Sequence, residues 1–295
     1  MPSLMNMPAV NSTAMNTTAD SFSLAGKVAI VTGSARENGI GAATARALAR
    51  NGAYVAINYV SESSAQGAYE VAQSIRDEYG VRTACVQGDV SMPKGSRKIV
   101  VETMEQLGVN HIDILAGTQE KLVWINSRLY LLVNNAGYAV TRLLRETDFE
   151  LCQCTFATNV YGQLFMTQAA IDLGRMPPGG RIINIGSIAS KIQNPLIGIY
   201  AASKAAQDSL TTSWAGELGR THGITVNTVA PGPVVTDITK DSPEVLDPLV
   251  RLQRGTGRRG APEDIADVVL LLASEKSRWI TGQFIAADAG ITGSR

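Results

Sequence analysis

One feature narrows the possible folds more than any other: a strand that empties into a glycine-rich loop and then a helix. Lys27-Val28-Ala29-Ile30-Val31 is short, apolar and rich in β-branched side chains. It runs directly into Thr32-Gly33-Ser34-Ala35-Arg36-Glu37-Asn38-Gly39-Ile40-Gly41, and the helical pattern that follows sets Ile40, Ala43, Ala47 and Leu48 on one face. Glycines let a backbone turn tightly and approach a pyrophosphate, whose charge a helix N-terminus favours. Strand, loop and helix in this order open a doubly wound sheet that binds a dinucleotide.

The rest of the chain keeps the alternation. Strand patterns occur at residues 54–57, 83–90, 130–134, 181–185, 224–229 and 281–286, with helical patterns at 68–79, 98–107, 151–173, from 200 onward and from 261 onward. No second compositional regime interrupts them, so residues 23–295 are expected to form a single α/β domain around a parallel, doubly wound sheet of the Rossmann type. Residues 1–22 are rich in Met, Asn, Ser and Thr and read as a disordered tail. The absence of Lys or Arg before Lys27 argues against a secretory or mitochondrial signal, so a cytoplasmic protein is expected.

Composition excludes several function classes. With 26 acidic and 26 basic residues, nothing recommends nucleic acid or a membrane surface as a partner. No apolar run approaches the ~18 residues that span a bilayer. Cys85, Cys152 and Cys154 are too few for a disulfide framework, and Cys152-x-Cys154 lacks zinc-ligand spacing, so no metal is expected. His111 and His222 sit in polar, turn-like surroundings and read as structural or exposed.

One irregularity stands out. His111-Ile112-Asp113-Ile114-Leu115 starts like a strand but leads into the polar Ala116-Gly117-Thr118-Gln119-Glu120-Lys121. A central strand broken there would leave buried backbone groups unpaired. Residues 130–134 are therefore read as the strand. Residues near 115–131 are read as an insertion at the sheet's N-terminal edge, opposite the ligand crevice.

The residues able to carry chemistry lie between Gly186-Ser187-Ile188 and Tyr200-Ala201-Ala202-Ser203-Lys204. A free tyrosine ionises near pH 10. Lys204, one helical turn away, is expected to pull the Tyr200 pKa down toward the working range, and the Ser187 hydroxyl can hold a carbonyl oxygen beside the phenol. Asn159, inside a buried helical pattern, must satisfy a polar side chain by holding a water, the helix backbone near Lys204, or a neighbour it caps. At the end of the second strand, where a site for NAD usually has an acid, the chain has Asn58. A 2′-phosphate would be accommodated there, with Arg36 either holding it or merely solvated. Asp89-Val90 would lie beside an adenine ring, and Thr236 is close enough to Pro231-Gly232 to reach a cofactor phosphate or carboxamide. Residues 236–260 mix prolines and glycines and read as a mobile lid.

Taken together, Thr32-Gly33 to Gly41, Asp89-Val90, Asn134-Asn135-Ala136-Gly137, Asn159, Ser187, Tyr200-x-x-x-Lys204 and Pro231-Gly232 resemble the short-chain dehydrogenase/reductase family over residues 24–293. The resemblance implies that Ser187 orients a substrate carbonyl, Tyr200 passes the proton, Lys204 holds the nicotinamide ribose and Asn159 supports a water relay. It implies cofactor contacts from Gly33, Arg36, Gly39, Ile40, Asn58, Asp89, Val90, Asn135, Tyr200, Lys204, Val234 and Thr236. It also implies a homo-oligomer, commonly a tetramer, packed through the helices bearing Asn159 and Tyr200.

The expected activity is reduction of a ketone with NADPH, similar to 3-oxoacyl-carrier-protein and polyketide naphthol reductases of secondary metabolism. Ile188, Ile192, Pro195, Leu196 and Ile199 either line an apolar substrate site or serve loop packing. An NAD-dependent alcohol or sugar dehydrogenase and a catalytically inactive cofactor-binding paralogue are the alternatives. Two departures from the family pattern are visible. Five residues, Ser34 to Asn38, separate Gly33 from Gly39 where three are usual, and extra residues lie between Asp113 and Asn134, as a surface excursion or a gene-model artefact.

Overall fold

A strand covered on both faces needs apolar side chains pointing both ways, and β1 (Val28–Val31) has them. Ala29 and Val31 pack with α1 (Ile40–Arg50), α2 (Ala65–Tyr79) and α8 (Pro262–Ala273), through Ala42, Leu48, Val71, Ile75, Ile265 and Val269. Val28 and Ile30 face the opposite layer of α3 (Pro93–Gln106), α5 (Gly162–Asp172) and α6 (Gly198–His222), through Ile99, Met166, Trp214 and Leu218. Full burial of one such side chain contributes about 1.5–3 kcal/mol. These two cores fix the sheet between its helical layers.

The structure, a computed structural model, describes residues 22–108, 128–192, 194–241 and 243–293. The sheet continues through β2 (Tyr54–Tyr59), β3 (Thr83–Gln87), β4 (Leu129–Asn134), β5 (Arg181–Ile185), β6 (Thr225–Pro231) and β7 (Phe284–Ala287). All pairings are parallel and the order is β3-β2-β1-β4-β5-β6-β7. The chain builds outward from β1 to β3 and then returns to β4 on β1's other side. That reversal opens a crevice at the strands' C-terminal ends. The expected single α/β domain with a doubly wound parallel sheet is what the chain forms. Among the described residues no helix is long and apolar enough to cross a membrane.

Several expectations change in detail. β4 begins at Leu129 rather than at residue 130; the insertion expected near 115–131 lies, up to residue 127, outside the described residues, as does the tail but for Phe22. α3 starts at Pro93 rather than residue 98, because proline at the first helical position sacrifices no hydrogen bond. The expected helix over 151–173 is α4 (Phe149–Phe156) joined to α5 through a π turn at Ala157–Tyr161. Within 236–260 lies a helix, α7 (Pro243–Val250), where only an irregular lid was expected.

Candidate active site

The glycine loop is shaped by close approach. Gly33 has φ +61°, and a Cβ there would stand 2.8 Å from the Ala136 Cα. A Cβ on Gly41 would meet Asn135 Nδ2 at 2.6 Å and the Gly33 carbonyl at 2.9 Å. Asn135 Nδ2 donates to the carbonyls of Thr32 (2.8 Å) and Gly33 (3.0 Å). The Thr32 hydroxyl accepts from the backbone N–H of Asn135 and of Ala136, both at 3.0 Å. Asn135 thus braces the loop from β4. Gly39 precedes α1 with no side-chain cap, and α1 has no acid in its first turn. The N–H groups beside Gly39 and Ile40 therefore carry an uncancelled positive end of the helix dipole toward the crevice.

Asn58 is not where the sequence put it. The side chain is 2% exposed and turned inward. Its Oδ1 accepts from Gly33 N–H (3.1 Å), and its Nδ2 donates toward the carbonyls of Tyr59 (3.3 Å), Val86 (3.2 Å) and Gly88 (3.1 Å). With both amide hydrogens and one lone pair of Oδ1 engaged inside the fold, the Asn58 side chain ties β2, β3 and the glycine loop together instead of reaching outward. This corrects the expected cofactor contact.

The other expected residues differ in exposure. Arg36 is exposed, and its guanidinium has no hydrogen bond or ion pair to a described residue. Beside it, the Ala35 carbonyl lies 2.5 Å from the position of a Cβ on Gly67 in α2, so the loop tip abuts the start of that helix. Asp89 is exposed, its Oδ1 accepting from Ser91 N–H (2.9 Å), while Val90 is buried against Gly162. After β6, Val234 pairs with Gly260, and the Thr236 hydroxyl lies 3.1 Å from that of Thr239. Asn38, in the lengthened loop, donates from N–H (3.2 Å) and Nδ2 (3.3 Å) to the Asp237 carboxylate and accepts from Asp237 N–H (3.3 Å). Those bonds hold the Asp237 pKa below the usual carboxylate range. The loop and the segment after β6 are clasped together.

The chemistry-bearing residues gather at the ends of β4 and β5. Ser187 follows β5 and opens a short 3-10 turn, Ile188–Ser190, its Oγ accepting from Ala189 N–H (3.1 Å). Tyr200 lies in the first turn of α6, close enough to Ser187 for that hydroxyl to act on its pKa. Lys204 is buried one turn later, donating to the Ile185 carbonyl (2.8 Å) and Gln207 Oε1 (3.0 Å), its Nζ 5.8 Å from the centre of the Tyr200 ring. Asn159 sits in the π turn, fully buried; its Oδ1 accepts from Tyr138 N–H (2.8 Å) and its Nδ2 donates to the Tyr138 carbonyl and Ser203 Oγ, both at 2.9 Å. Rather than the helix backbone near Lys204, Asn159 clamps the Tyr138 backbone, in the loop after β4, and the Ser203 hydroxyl. π turns recur at functional sites, and nothing in the residue pattern signals this one.

The electrostatics also differ from expectation. Burial raises the Tyr200 pKa, and the neighbouring Ser187 hydroxyl works against it. The expected lowering by Lys204 is absent because the ammonium is drawn to Ile185 and Gln207. Burial pulls Lys204 itself down to about 8, opposed by the charge of Asp208. As arranged, Tyr200 keeps its proton at neutral pH and stands beside a second hydroxyl: a hydrogen-bonding pair able to hold an oxygen and give it a proton.

Comparison with known proteins agrees with this geometry. The family described as short chain dehydrogenase matches residues 27–246. The chain is 36% identical to a short-chain dehydrogenase/reductase, FrzI, of a Cladobotryum species, over 91% of this chain and 97% of that one. It is 34% identical to the hydroxynaphthalene reductase arp2 of Aspergillus fumigatus, over 89% and 91%. Among solved structures, a blue fluorescent protein from a metagenomic library in complex with NADPH superposes with a TM-score of 0.79 at 36% identity, covering 92% of this chain and 99% of that one. The angucycline C-6 ketoreductase LanV with bound NADP does so with 0.78 at 34%, covering 91% and 96%. By sequence, sheet order and the grouping of Ser187, Tyr200 and Lys204, this chain belongs to the short-chain dehydrogenase/reductase family of oxidoreductases.

Proposed function

We propose that the protein reduces an apolar, polyketide-type ketone with NADPH. The observation that carries this reading is the grouping of Ser187 at the end of β5 with Tyr200 and Lys204 on one face of α6, beside a glycine loop shaped for a dinucleotide. The loop fits the cofactor. The tight approaches at Gly33 and Gly41 leave no room for side chains, and the uncapped start of α1 presents N–H groups to a pyrophosphate. Gly33, Gly39 and Ile40 would hold that pyrophosphate, Asp89 and Val90 the adenine, and Lys204 the nicotinamide ribose, with Val234 and Thr236 at the carboxamide and phosphate. When bound, NADPH supplies the hydride that reduces the carbonyl carbon. Ser187 and Tyr200 hold the carbonyl oxygen by hydrogen bonds and stabilise negative charge as it develops there. Tyr200 then gives that oxygen its proton.

The kind of relative supports the substrate class: a hydroxynaphthalene reductase and an angucycline ketoreductase act on fused-ring polyketides. Exposed Leu143 and Leu144 on the loop before α4, and exposed Leu196 after β5, supply apolar surface for a similar ligand. Assembly as a homo-oligomer through α4, α5 and α6 is part of the same reading, supported by the exposed rings of Phe149 and Tyr161. Assaying NADPH oxidation against bicyclic aromatic ketones, acetoacetyl thioesters and sugars tests it; turnover of sugars alone would overturn the substrate class.

The preference for NADPH rests on Arg36. With Asn58 turned inward, the Arg36 guanidinium at the loop tip, which has no hydrogen bond or ion pair to a described residue, is the cation that would meet a 2′-phosphate. Arg36→Ala should weaken NADPH binding about 10- to 150-fold, the ~1.5–3 kcal/mol of a charged hydrogen bond, and leave NADH affinity unchanged. Fluorescence titration with both nucleotides checks this; an equal loss for both would show that Arg36 does not read the phosphate.

A further inference from the structure

Asp208 has been given no role above. It stands on α6 one turn beyond Lys204 and two beyond Tyr200, in the same row of the helix. Its side chain is 10% exposed. Oδ2 accepts from Ser190 Oγ (2.7 Å) and pairs with Lys191 Nζ (3.2 Å). Oδ1 is buried without a hydrogen-bond partner and points to the chain at Gly186, where a Cβ would stand 3.6 Å away. Ser190 closes the turn opened by Ser187: its N–H donates to the Ser187 carbonyl (3.2 Å), and its Oγ lies 3.1 Å from that carbonyl while its one proton goes to the nearer Asp208 Oδ2. One carboxylate therefore connects the helix row of Tyr200 and Lys204 to the turn that aims Ser187.

Lys204 needs such a neighbour. Its direct partners, the Ile185 carbonyl and the Gln207 amide, are neutral, and a buried ammonium without nearby negative charge loses its proton readily. The charged and titratable groups around it are Tyr200 and Asp208 on its own helix and Lys191 from the turn after β5; Asn159 and Gly137, on the other side, bring no charge. We infer that Asp208 is a positioning residue: its charge keeps Lys204 an ammonium, and its bond to Ser190 fixes the turn that aims the Ser187 hydroxyl at Tyr200. This inference rests on the ketone-reductase reading above.

The signs are opposite for two variants. Burial lowers the Lys204 pKa to about 8 and Asp208 opposes that. Asp208→Asn removes the opposition, so the ammonium is lost at lower pH. The alkaline limb of kcat/KM for the ketone should then move down by about one pH unit. Lys191→Ala, at a 40% exposed side chain, frees Asp208 from a competing cation, and the limb should move up. Asp208→Glu should restore the wild-type limb. Ser190→Ala keeps the charge and loosens the turn, so it should raise KM for the ketone with the limb unmoved.

The pH dependence of NADPH affinity, read by fluorescence, should show the same opposite displacements and needs no turnover. If Asp208→Asn melts at lower temperature yet keeps the wild-type limb and affinity profile, and Lys191→Ala moves neither, Asp208 is only a packing residue and the inference is overturned. A wild-type protein that turns over no ketone sinks the reading on which this rests, while the affinity profiles still decide the role of Asp208.

Discussion

Tyr200→Phe is expected to lower kcat for an apolar ketone by about 10²–10⁴-fold, the usual contribution of a positioned general acid. The variant should keep its fold and bind NADPH nearly as well. Even one neutral hydrogen bond lost with the phenol would change stability by only about 0.5–1.5 kcal/mol. The asymmetry is the diagnostic part. On the proposed reading the pyrophosphate is held by the glycine loop and the start of α1, whose bracing bonds do not involve the tyrosine. Proton delivery belongs to a hydroxyl whose pKa burial has raised, so it is protonated across the working range and needs no lysine to be a donor. Steady-state kinetics beside a fluorescence titration check both halves. A variant with wild-type kcat would remove Tyr200 from the reaction, and one that lost cofactor affinity in proportion would make it a binding residue.

Asn58→Asp should be among the most damaging single substitutions in the chain, although it is the change that a reading of the second strand would choose to convert the enzyme to NADH. The amide Nδ2 donates toward three carbonyl oxygens in a buried site. A carboxylate there would face those carbonyls with no donor but Gly33 N–H. An uncompensated buried charge of this kind is destabilising by about 3–5 kcal/mol. The sign of the pH dependence follows. Burial among acceptors raises the folded pKa of the new acid above its unfolded value, so the penalty is full at neutral pH and is relieved as pH falls toward the unfolded value. Thermal melts between pH 5 and pH 8 read this directly, with the gap to wild type narrowing at the acid end. An unchanged melting temperature, or a gain of NADH affinity, would show that residue 58 faces the cofactor after all.

That substitution also marks how far the residues alone could be read. The sheet was legible because buried parallel strands carry continuous apolar runs and each is bounded by a glycine loop or a polar end; β1, its loop and α1 follow from that pattern alone. The spacing of Tyr200 and Lys204 was legible for the same local reason, since four residues along a helix is one face. Asn58 was misread because a polar residue at a strand end can turn out to solvent or back under the loop, and the Gly33, Val86 and Gly88 groups that decide it lie far away in sequence. The partner of Lys204 was misread likewise: spacing put it beside the phenol, but the Ile185 carbonyl, reached only through the fold, takes the ammonium instead. The π turn at Asn159 leaves no mark on apolar periodicity, because one extra residue in a helix shifts the face without breaking it. Asp208 did leave a signal, a third polar residue in the row of Tyr200 and Lys204, but its meaning depends on Ser190 and Lys191 arriving from the turn after β5.

The central claim is that the hydroxyl pair at Ser187 and Tyr200 reduces a ketone with NADPH held by the loop beside it. The most direct measurement incubates the purified wild-type protein with NADPH deuterated at the transferable position and a bicyclic aromatic ketone, and follows the product by NMR. The account predicts one NADPH oxidised per alcohol formed, with deuterium on the carbinol carbon and the hydroxyl proton drawn from solvent. NADPH that binds tightly but stays reduced in the presence of every ketone offered would contradict it.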